Sequence, residues 1–126
     1  MTMAALALVT DEPLDVTPLE EFVQDAGATA VVTLSTLVRE ELDYEGHPEA
    51  QRILEECCLI VSRELGARVA AAQRTGVLPV GALSLVVTAS APDRADAFAA
   101  CSRLAGMIEL TVPIWTRQRI DGVASL

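Results

Sequence analysis

The sequence predicts an α+β fold, in which helices pack on one antiparallel or mixed sheet. The β-branched runs at residues 29–38 and 82–90 are typical of strands, whereas residues 48–65 repeat apolar side chains at helical spacing. Apolar residues make up 52% of the 126 residues, so the chain can bury a core without disulfides or metals. Because no linker, low-complexity tract or internal repeat interrupts it, we expect a single domain over residues 1–126.

The first elements are predicted to be a strand and a short helix. Residues 4–9 are apolar but lack the basic segment that opens an export signal, so they are interpreted as the first strand. Thr17 precedes Pro18 and stands three residues before Glu20. This is the pattern of a helix N-cap followed by proline at the first helical position. The helix is expected to end near Gly27.

Two strands and the first long helix are predicted next. Residues 29–38 predict a mostly buried strand, and residues 42–44 predict a brief one. From Pro48 to Leu65, apolar residues recur at steps of three and four, which indicates an amphipathic helix. Gly66 is expected to end that helix.

The C-terminal half is predicted to contain three more extended segments and a third helix. Residues 67–76 predict a weaker strand, residues 77–81 a turn and residues 82–90 a clear strand. Residues 112–115 are expected to be extended, because proline at position 113 cannot continue a helix. The helix after position 92 places six apolar residues on one face: Ala97, Phe98, Cys101, Leu104, Ala105 and Ile108.

Charge and composition exclude several classes of function. A formal charge of −9 argues against nucleic-acid binding, which needs a basic face. No apolar run reaches the roughly 18 to 20 residues of a membrane span, and we expect a cytoplasmic protein.

The cysteines Cys57, Cys58 and Cys101 lack C-x-x-C spacing, and His47 is the single histidine, so we expect no metal site and no bound cofactor. The thiols are interpreted as small buried side chains in a reducing compartment. Adjacent side chains on a helix point about 100° apart, so at most one of Cys57 and Cys58 is expected to face inward.

All nine basic residues are arginines, and lysine is absent. Genomic base composition is one explanation, but the chemical consequence holds in any case: no lysine Schiff base or lysine acid–base pair can form. Arg39 follows a predicted strand, Arg94 opens a predicted helix and Arg74 precedes a Thr-Gly turn, so each is a candidate anion ligand. The alternative for each is an ordinary solvated or salt-bridged surface arginine.

Four segments in order carry a more specific pattern. They are "AVVTLSTLVRE" at 30–40, Arg-x-Gly-x-Leu-x-Val-Gly at 74–81, Ser-Ala-x-x-Arg-x-x-Ala-Phe at 90–98 and Val-Pro-Ile-Trp at 112–115. Together they resemble the large, catalytic subunit of molybdopterin synthase, the MoaE family, from Asp11 to Gly122. In this pattern Gly76 and Gly81 bracket a hairpin, and Phe98 is expected on the inner face of its helix.

The resemblance implies an α/β-hammerhead-like fold and a homodimer of large subunits. It also implies a ubiquitin-like small-subunit partner of the MoaD type, whose C-terminal Gly-Gly thiocarboxylate enters the large subunit's pocket. Two sulfurs then pass to a cyclic pyranopterin monophosphate. In the family, arginines bind the phosphate, a His-Arg pair opens the second long helix, and two lysines flank the Pro-Ile-Trp segment.

The arginines of that pattern are kept in this sequence, but most of their chemical partners are not. Arg39 and Arg94 stand at the family's arginine positions, whereas the histidine beside Arg94 is replaced by Asp93, which is expected to pair with it. The His-Arg pair before the glycine turn is Gln73-Arg74 here.

The two lysine positions are altered as well. Glu109 stands where one family lysine stands, and Thr116 replaces the other. A family glycine is replaced by Thr36, and a long loop is shortened to residues 40–41. Arg117 and Arg119 follow closely and are candidates to hold the phosphate, while Val112 to Trp115, with Pro113 between them, are expected to form a pocket wall.

The sequence is therefore interpreted as a molybdopterin synthase large-subunit homologue with impaired catalysis. The retained alternatives are a catalytically silent dimeric scaffold and an anion- or nucleotide-binding domain of the same fold.

Overall fold

The computed structural model describes residues 4–118, with side chains as far as residue 116. It contains three helices, α1 Val16–Val23, α2 Ala50–Leu65 and α3 Arg94–Thr111. The described strands are β1 Ala5–Thr10, β2 Ala30–Leu37, β3 Leu42–Gly46, β4 Arg68–Arg74, β5 Gly76–Leu78, β6 Leu83–Ala91 and β7 Ile114–Gln118. The predicted α+β class is confirmed.

The strands form two sheets rather than the single sheet expected. The larger sheet has the order β1-β4-β6-β2, with β1 parallel to β4 and the other pairs antiparallel. The smaller sheet has the order β5-β3-β7 and is antiparallel throughout. β5 overlaps the start of the segment predicted as a turn, residues 77–81, and the turn follows it. The chain leaves the larger sheet at the end of β2 and again at the end of β4, which places the two sheets side by side.

The larger sheet is covered by helices on both faces. On one face, α2 and α3 pack against alternate strand residues such as Val69, Leu85 and Val87. On the other face, α1 packs Leu19 and Val23 against the intervening residues of β4 and β6. Because side chains alternate along a strand, β4 and β6 are apolar on both sides and form the centre of the molecule.

Strand β2 is not the mostly buried strand that its composition predicted. It pairs with β6 alone in the described sheet, so it is an edge strand. Val31, Leu34 and Leu37 are 45%, 38% and 56% exposed. Strand composition indicated the secondary structure correctly but carried no information about edge position.

The observed ends of α1 differ from the predicted ones, whereas the end of α2 agrees with its prediction. Asp15, not Thr17, caps α1: its Oδ1 accepts a hydrogen bond from the Thr17 backbone N–H at 3.0 Å. This helix ends at Val23, before the expected Gly27. Gly66 ends α2 as predicted, in the left-handed conformation with φ of 61°.

The backbone conformation at positions 76 and 81 explains why both residues are glycine. Gly76 and Gly81 have φ values of 106° and 90°, a conformation that side chains disfavour. The Gly81 N–H also donates to the Val38 carbonyl at 2.9 Å, which joins the turn after β5 to the end of β2.

Phe98 does not lie on the inner face of α3. It is 58% exposed, and Ala100 takes a buried position on the helix instead. The other five predicted core residues of α3 are buried. The apolar face of this helix is therefore built mainly from small side chains.

The three cysteines are free and buried. Both Cys57 and Cys58 are inside, which corrects the expectation that only one faces inward. Helix α2 is covered on two sides: Cys57 Sγ lies 3.2 Å from Oγ1 of Thr111, the last residue of α3, and Cys58 Sγ donates to the Leu6 carbonyl of β1 at 3.7 Å. Burial raises the pKa of the Cys58 thiol to about 12 and also raises that of Cys101.

Candidate functional site

A cavity of about 200 Å³ lies where the two sheets meet the C-terminal end of α3. Four apolar residues form part of its wall: Leu85, Ile108, Val112 and Ile114. Its polar lining comes from six different elements: Thr36, Tyr44, Gln73, Ser84, Glu109 and Thr116. Such a mixture of an apolar wall and convergent polar groups is typical of a small-ligand site.

Strand register brings these polar residues together. Across the larger sheet, Thr36 of β2 and Gln73 of β4 both pair with Leu85 of β6. Across the smaller sheet, Tyr44 of β3 is opposite Thr116 of β7. One row of paired residues from each sheet therefore bounds the cavity, and the last turns of α3 lie beside the cavity.

The Gln73 side chain is held in a defined orientation. It is 7% exposed, and its Nε2 donates to the carbonyls of Ser84 at 3.0 Å and Arg74 at 3.3 Å. Both amide hydrogens are thereby used, so Oε1 is left as the amide's hydrogen-bond acceptor. Ser84 in turn donates through Oγ to the Thr36 carbonyl at 3.2 Å.

The charge of the described lining is negative. Glu109, an exposed residue in α3, is the only charged residue among the lining side chains that the structure describes. The carbonyl end of a helix carries a partial negative charge, and α3 has no basic residue in its last turn. Both features repel an anion placed in the cavity.

The residues at the two family lysine positions, Glu109 and Thr116, therefore share one cavity. Arg39 and Arg94 are not among its lining residues. Arg94 is the first residue of α3 and lies 15 residues before Glu109, which is about 22 Å along the helix axis. Within one chain, Arg94 and Glu109 therefore lie at opposite ends of α3.

Asp93 does not pair with Arg94 as expected. Its Oδ1 accepts a hydrogen bond from the Ala95 backbone N–H at 2.7 Å, so Asp93 is the N-cap of α3. Arg94 and Arg39 are exposed. Arg74 donates through Nε to the Asp11 carbonyl at 3.3 Å and does not line the cavity.

The remaining predicted arginines follow Thr116. The Arg117 backbone lies in β7 opposite Asp43. Arg119 is outside the described residues. Their proposed part in binding phosphate stays a prediction.

Trp115 is not part of the cavity wall, whereas Val112 and Ile114 are. It lies between Ile114 and Thr116 on β7, so its side chain is on the opposite face of the strand. There it is 56% exposed and contacts the His47 ring edge to face. Pro113 separates α3 from β7, and its carbonyl accepts a hydrogen bond from the His47 N–H at 3.0 Å.

Tyr44 and Ser84 are cavity residues that sequence reasoning did not identify. Neither has a motif that marks it, and their position depends on register between strands far apart in the chain. Thr36 and Gln73 were recognised only as departures from the family pattern. The signal that would have singled them out is convergence in space.

Comparison with solved structures identifies the class of protein. The chain superimposes on a molybdopterin synthase from Staphylococcus aureus with a TM-score of 0.84 and 26% identity, covering 90% of this chain and 91% of that one. A complex of subunits 1 and 2 of molybdopterin-converting factor from Helicobacter pylori has the same fold, with a TM-score of 0.71 and 16% identity over 90% of this chain and 83% of that one.

Sequence comparison then gives the family. Residues 9–108 match the family model described as MoaE protein. A molybdopterin synthase catalytic subunit from Oryza sativa is 32% identical over 118 residues, covering 86% of this chain and 61% of the rice protein. Catalytic subunit 1 of Mycobacterium tuberculosis is also 32% identical, over 122 residues, covering 87% of this chain and 82% of that protein. The chain belongs to the MoaE family.

Among the described residues, no helix is both long and apolar enough to cross a membrane.

Proposed function

We propose that this chain is a molybdopterin synthase large subunit of molybdenum cofactor biosynthesis whose catalysis is impaired. The reaction of this proposal moves sulfur from a thiocarboxylated, ubiquitin-like small subunit to a cyclic pyranopterin monophosphate. Three free thiols buried in the fold are compatible with a reducing compartment, and we place the reaction in the cytoplasm.

The observation that carries the proposal is the position of four of the five departures from the family pattern; the fifth, Asp93, is the N-cap at the other end of α3. Thr36, Gln73, Glu109 and Thr116 come from four different elements, and all four line the same cavity. Their convergence supports this cavity as the family's reaction site with its chemistry altered.

The alteration acts on both substrate binding and proton transfer. A carboxylate about 5 Å from a phosphate charge costs roughly 3 kcal/mol at an effective dielectric constant of about 20. Thr116 has a hydroxyl group but supplies no cation. Loss of a proton-transferring side chain typically lowers a rate by about 100- to 10,000-fold.

The partners follow from the same proposal. Because Arg94 and Glu109 are at opposite ends of α3, a site that uses both needs a second copy of the chain, which supports the proposed homodimer. The H. pylori structure is, by its description, a complex of two subunits, and its fold supports a MoaD-type small subunit as the other partner.

An alternative is a catalytically silent dimeric scaffold or an anion-binding domain of the same fold. The silent scaffold is favoured by the same negative cavity, since neither Glu109 nor Thr116 can replace a lysine ammonium group. The two functions differ in whether any dithiolene product forms.

Reconstitution tests the proposal. The purified chain, a thiocarboxylated small subunit and cyclic pyranopterin monophosphate should yield dithiolene product slowly, and Glu109→Lys with Thr116→Lys should increase the rate by 100-fold or more. The matched control is Glu21→Lys with Thr17→Lys on exposed positions of α1, which changes net charge equally. Equal rates for the two double variants would argue for the silent scaffold.

A further inference from the structure

We propose that two copies of this chain associate through the outer edge of β2 and the adjoining side of α3. In this arrangement β2 pairs antiparallel with the β2 of the second copy about a two-fold axis. The proposal rests on the homodimer of the proposed function and adds the surface that forms it. Self-association is measured separately from sulfur transfer, so the two can fail independently.

The outer edge of β2 lacks the features that keep an edge strand from pairing. Among the described strands β2 pairs with β6 alone, so along its other side alternate N–H and C=O groups point away from the sheet. Residues 30–38 contain no charged residue and no proline, which are the usual means of blocking such an edge. A further strand can therefore add to the sheet here.

Apolar side chains flank this edge on both faces of the sheet. Val31, on the face covered by α1, is 45% exposed, and Leu34, on the face covered by α3, is 38% exposed. Phe98 of α3 lies beside Leu34 and is 58% exposed. Between β2 and α3 the surface forms a groove of about 220 Å³. A strand laid along β2 would remove much of this apolar surface from water.

The exposed side of α3 has opposite charges at its two ends. Four exposed residues lie along this side: Arg94, Phe98, Ser102 and Glu109. Successive members are four, four and seven residues apart, which corresponds to about one, one and two helical turns. Arg103 lies on another side of the helix, where its Nη2 is 3.5 Å from Glu64 Oε1 of α2. The stripe therefore begins with a cation and ends with an acid.

This charge distribution favours a second copy as the occupant. α3 follows β6 after two residues, passes back over it and contacts β2, so α3 runs in the same direction as β2. Antiparallel pairing of two β2 strands then sets the two α3 helices antiparallel on one face of the joined sheet. Arg94 of each copy is brought toward the Glu109 end of the other. The contact is attractive although each chain has a formal charge of −9.

The same pairing completes the cavity. Thr36 of β2 and Glu109 of α3 line the cavity, and they lie on the border between β2 and α3 that Leu34 and Phe98 also form. A second copy placed on β2 therefore closes this side of the cavity. It also brings the Arg94 guanidinium of the second copy to the cavity, where the described lining of one chain has no cation.

Sedimentation equilibrium of the full chain over a range of concentrations tests the surface. The chain should show a monomer–dimer equilibrium, and Phe98→Glu should raise the dissociation constant by about 100-fold or more because a carboxylate is buried in an apolar contact. Leu110→Glu is the matched control. Leu110 is 88% exposed and lies outside the stripe on the same helix, so this variant should change the dissociation constant by less than about twofold.

Hydrogen–deuterium exchange tests the pairing of the strands. Above the dissociation constant, the backbone amides of residues 30–38 should be protected throughout. In Phe98→Glu at the same concentration, about half of them should exchange rapidly, because only the amides that face β6 remain bonded. Leu110→Glu should exchange as the unchanged chain does.

Charge reversal tests the antiparallel arrangement of the helices with substitutions at two exposed positions. Arg94→Glu should weaken the dimer by about tenfold, since each unfavourable contact occurs twice about the two-fold axis. Adding Glu109→Arg should restore the affinity of the unchanged chain. If the double variant is as weak as the single one, the antiparallel arrangement is wrong.

The remaining outcomes separate this interface from the proposed function. A dimer that Phe98→Glu leaves intact, with rapid exchange at half of residues 30–38, would overturn the β2 interface while the homodimer stands. A chain that stays monomeric at every concentration would overturn both. Failure of the reconstituted sulfur transfer, with a dimer that responds as expected, would count against the proposed reaction alone.

Discussion

The imidazole of His47 meets the indole of Trp115 edge to face, with ring centroids 5.8 Å apart and planes at 85°. These are the only histidine and the only tryptophan in the sequence. His47 Nδ1 also accepts a hydrogen bond from the Glu49 N–H at 3.0 Å, just before α2 begins. The pair therefore joins the start of α2 to strand β7 beside the cavity.

Replacing His47 tests that junction. His47→Asn keeps an acceptor for the Glu49 N–H but removes the ring, and it should lower the free energy of unfolding by about 0.5–1.5 kcal/mol. The fluorescence of Trp115 should shift to the red as the indole becomes more hydrated. His47→Phe keeps the ring edge and should retain the emission maximum; a shift of the same size in both variants would contradict the assignment of the effect to ring contact.

Gln51 of α2 binds the outer edge of β1 by both ends of its side-chain amide. Its Oε1 accepts from the Val9 N–H at 2.7 Å, and its Nε2 donates to the Ala7 carbonyl at 2.9 Å. Gln51→Leu leaves these two backbone groups without that partner and should cost about 1–3 kcal/mol in urea unfolding. Arg63→Ala, on an exposed position of the same helix, is the control and should change stability by less than about 0.5 kcal/mol. A loss no larger than the control's would show that water replaces the amide without cost.

Two glycines should respond in opposite directions to alanine. Gly106 lies inside α3, and a Cβ built there meets open space, so Gly106→Ala should stabilise the protein by about 0.5–1 kcal/mol. Gly66 ends α2 with φ of 61°, so Gly66→Ala should destabilise it by about 1 kcal/mol. Thermal unfolding of both variants measures the difference, and the same sign for both would contradict the assigned backbone conformations.

The Cys58 thiol should make stability fall at alkaline pH. Burial raises its folded-state pKa from 9.0 to about 12, so between these values the unfolded chain releases a proton that the folded chain keeps. Ionisation then favours unfolding, and this thiol should lower the free energy of unfolding by about 1.4 kcal/mol per pH unit above pH 9. Cys58→Ala should have a shallower slope between pH 9 and 11; identical slopes would show that the buried thiol does not control it.

Much of the fold was predictable because several segments have a single compatible structure. The β-branched run of β6 and the amphipathic period of α2 each agree with their tertiary setting, and Gly66 ends its helix where the pattern stops. Other boundaries depended on competition between neighbours. Asp15 and Thr17 are both good capping residues, and the helix began one residue after Asp15.

The burial of individual side chains and the composition of the cavity were harder to predict from the sequence. Whether Leu34 or Phe98 is inside depends on which elements lie above it, which is a property of topology. The family resemblance indicated that Glu109 and Thr116 matter. Only strand register could place Tyr44 and Gln73 beside them, because Tyr44 is opposite Thr116 and Gln73 is opposite Leu85.

The parallel pairing of β1 with β4 also has a kinetic consequence. Ala5 is opposite Val69, so β1 has no described sheet partner until β4, more than 60 residues later in the chain, has been made. β4 and β6, joined through a short connection, can form their antiparallel ladder while β1 is still unpaired. During synthesis, the apolar β1 segment is therefore exposed without its partner strand until β4 has been made, and an unpaired strand of this kind is prone to aggregation.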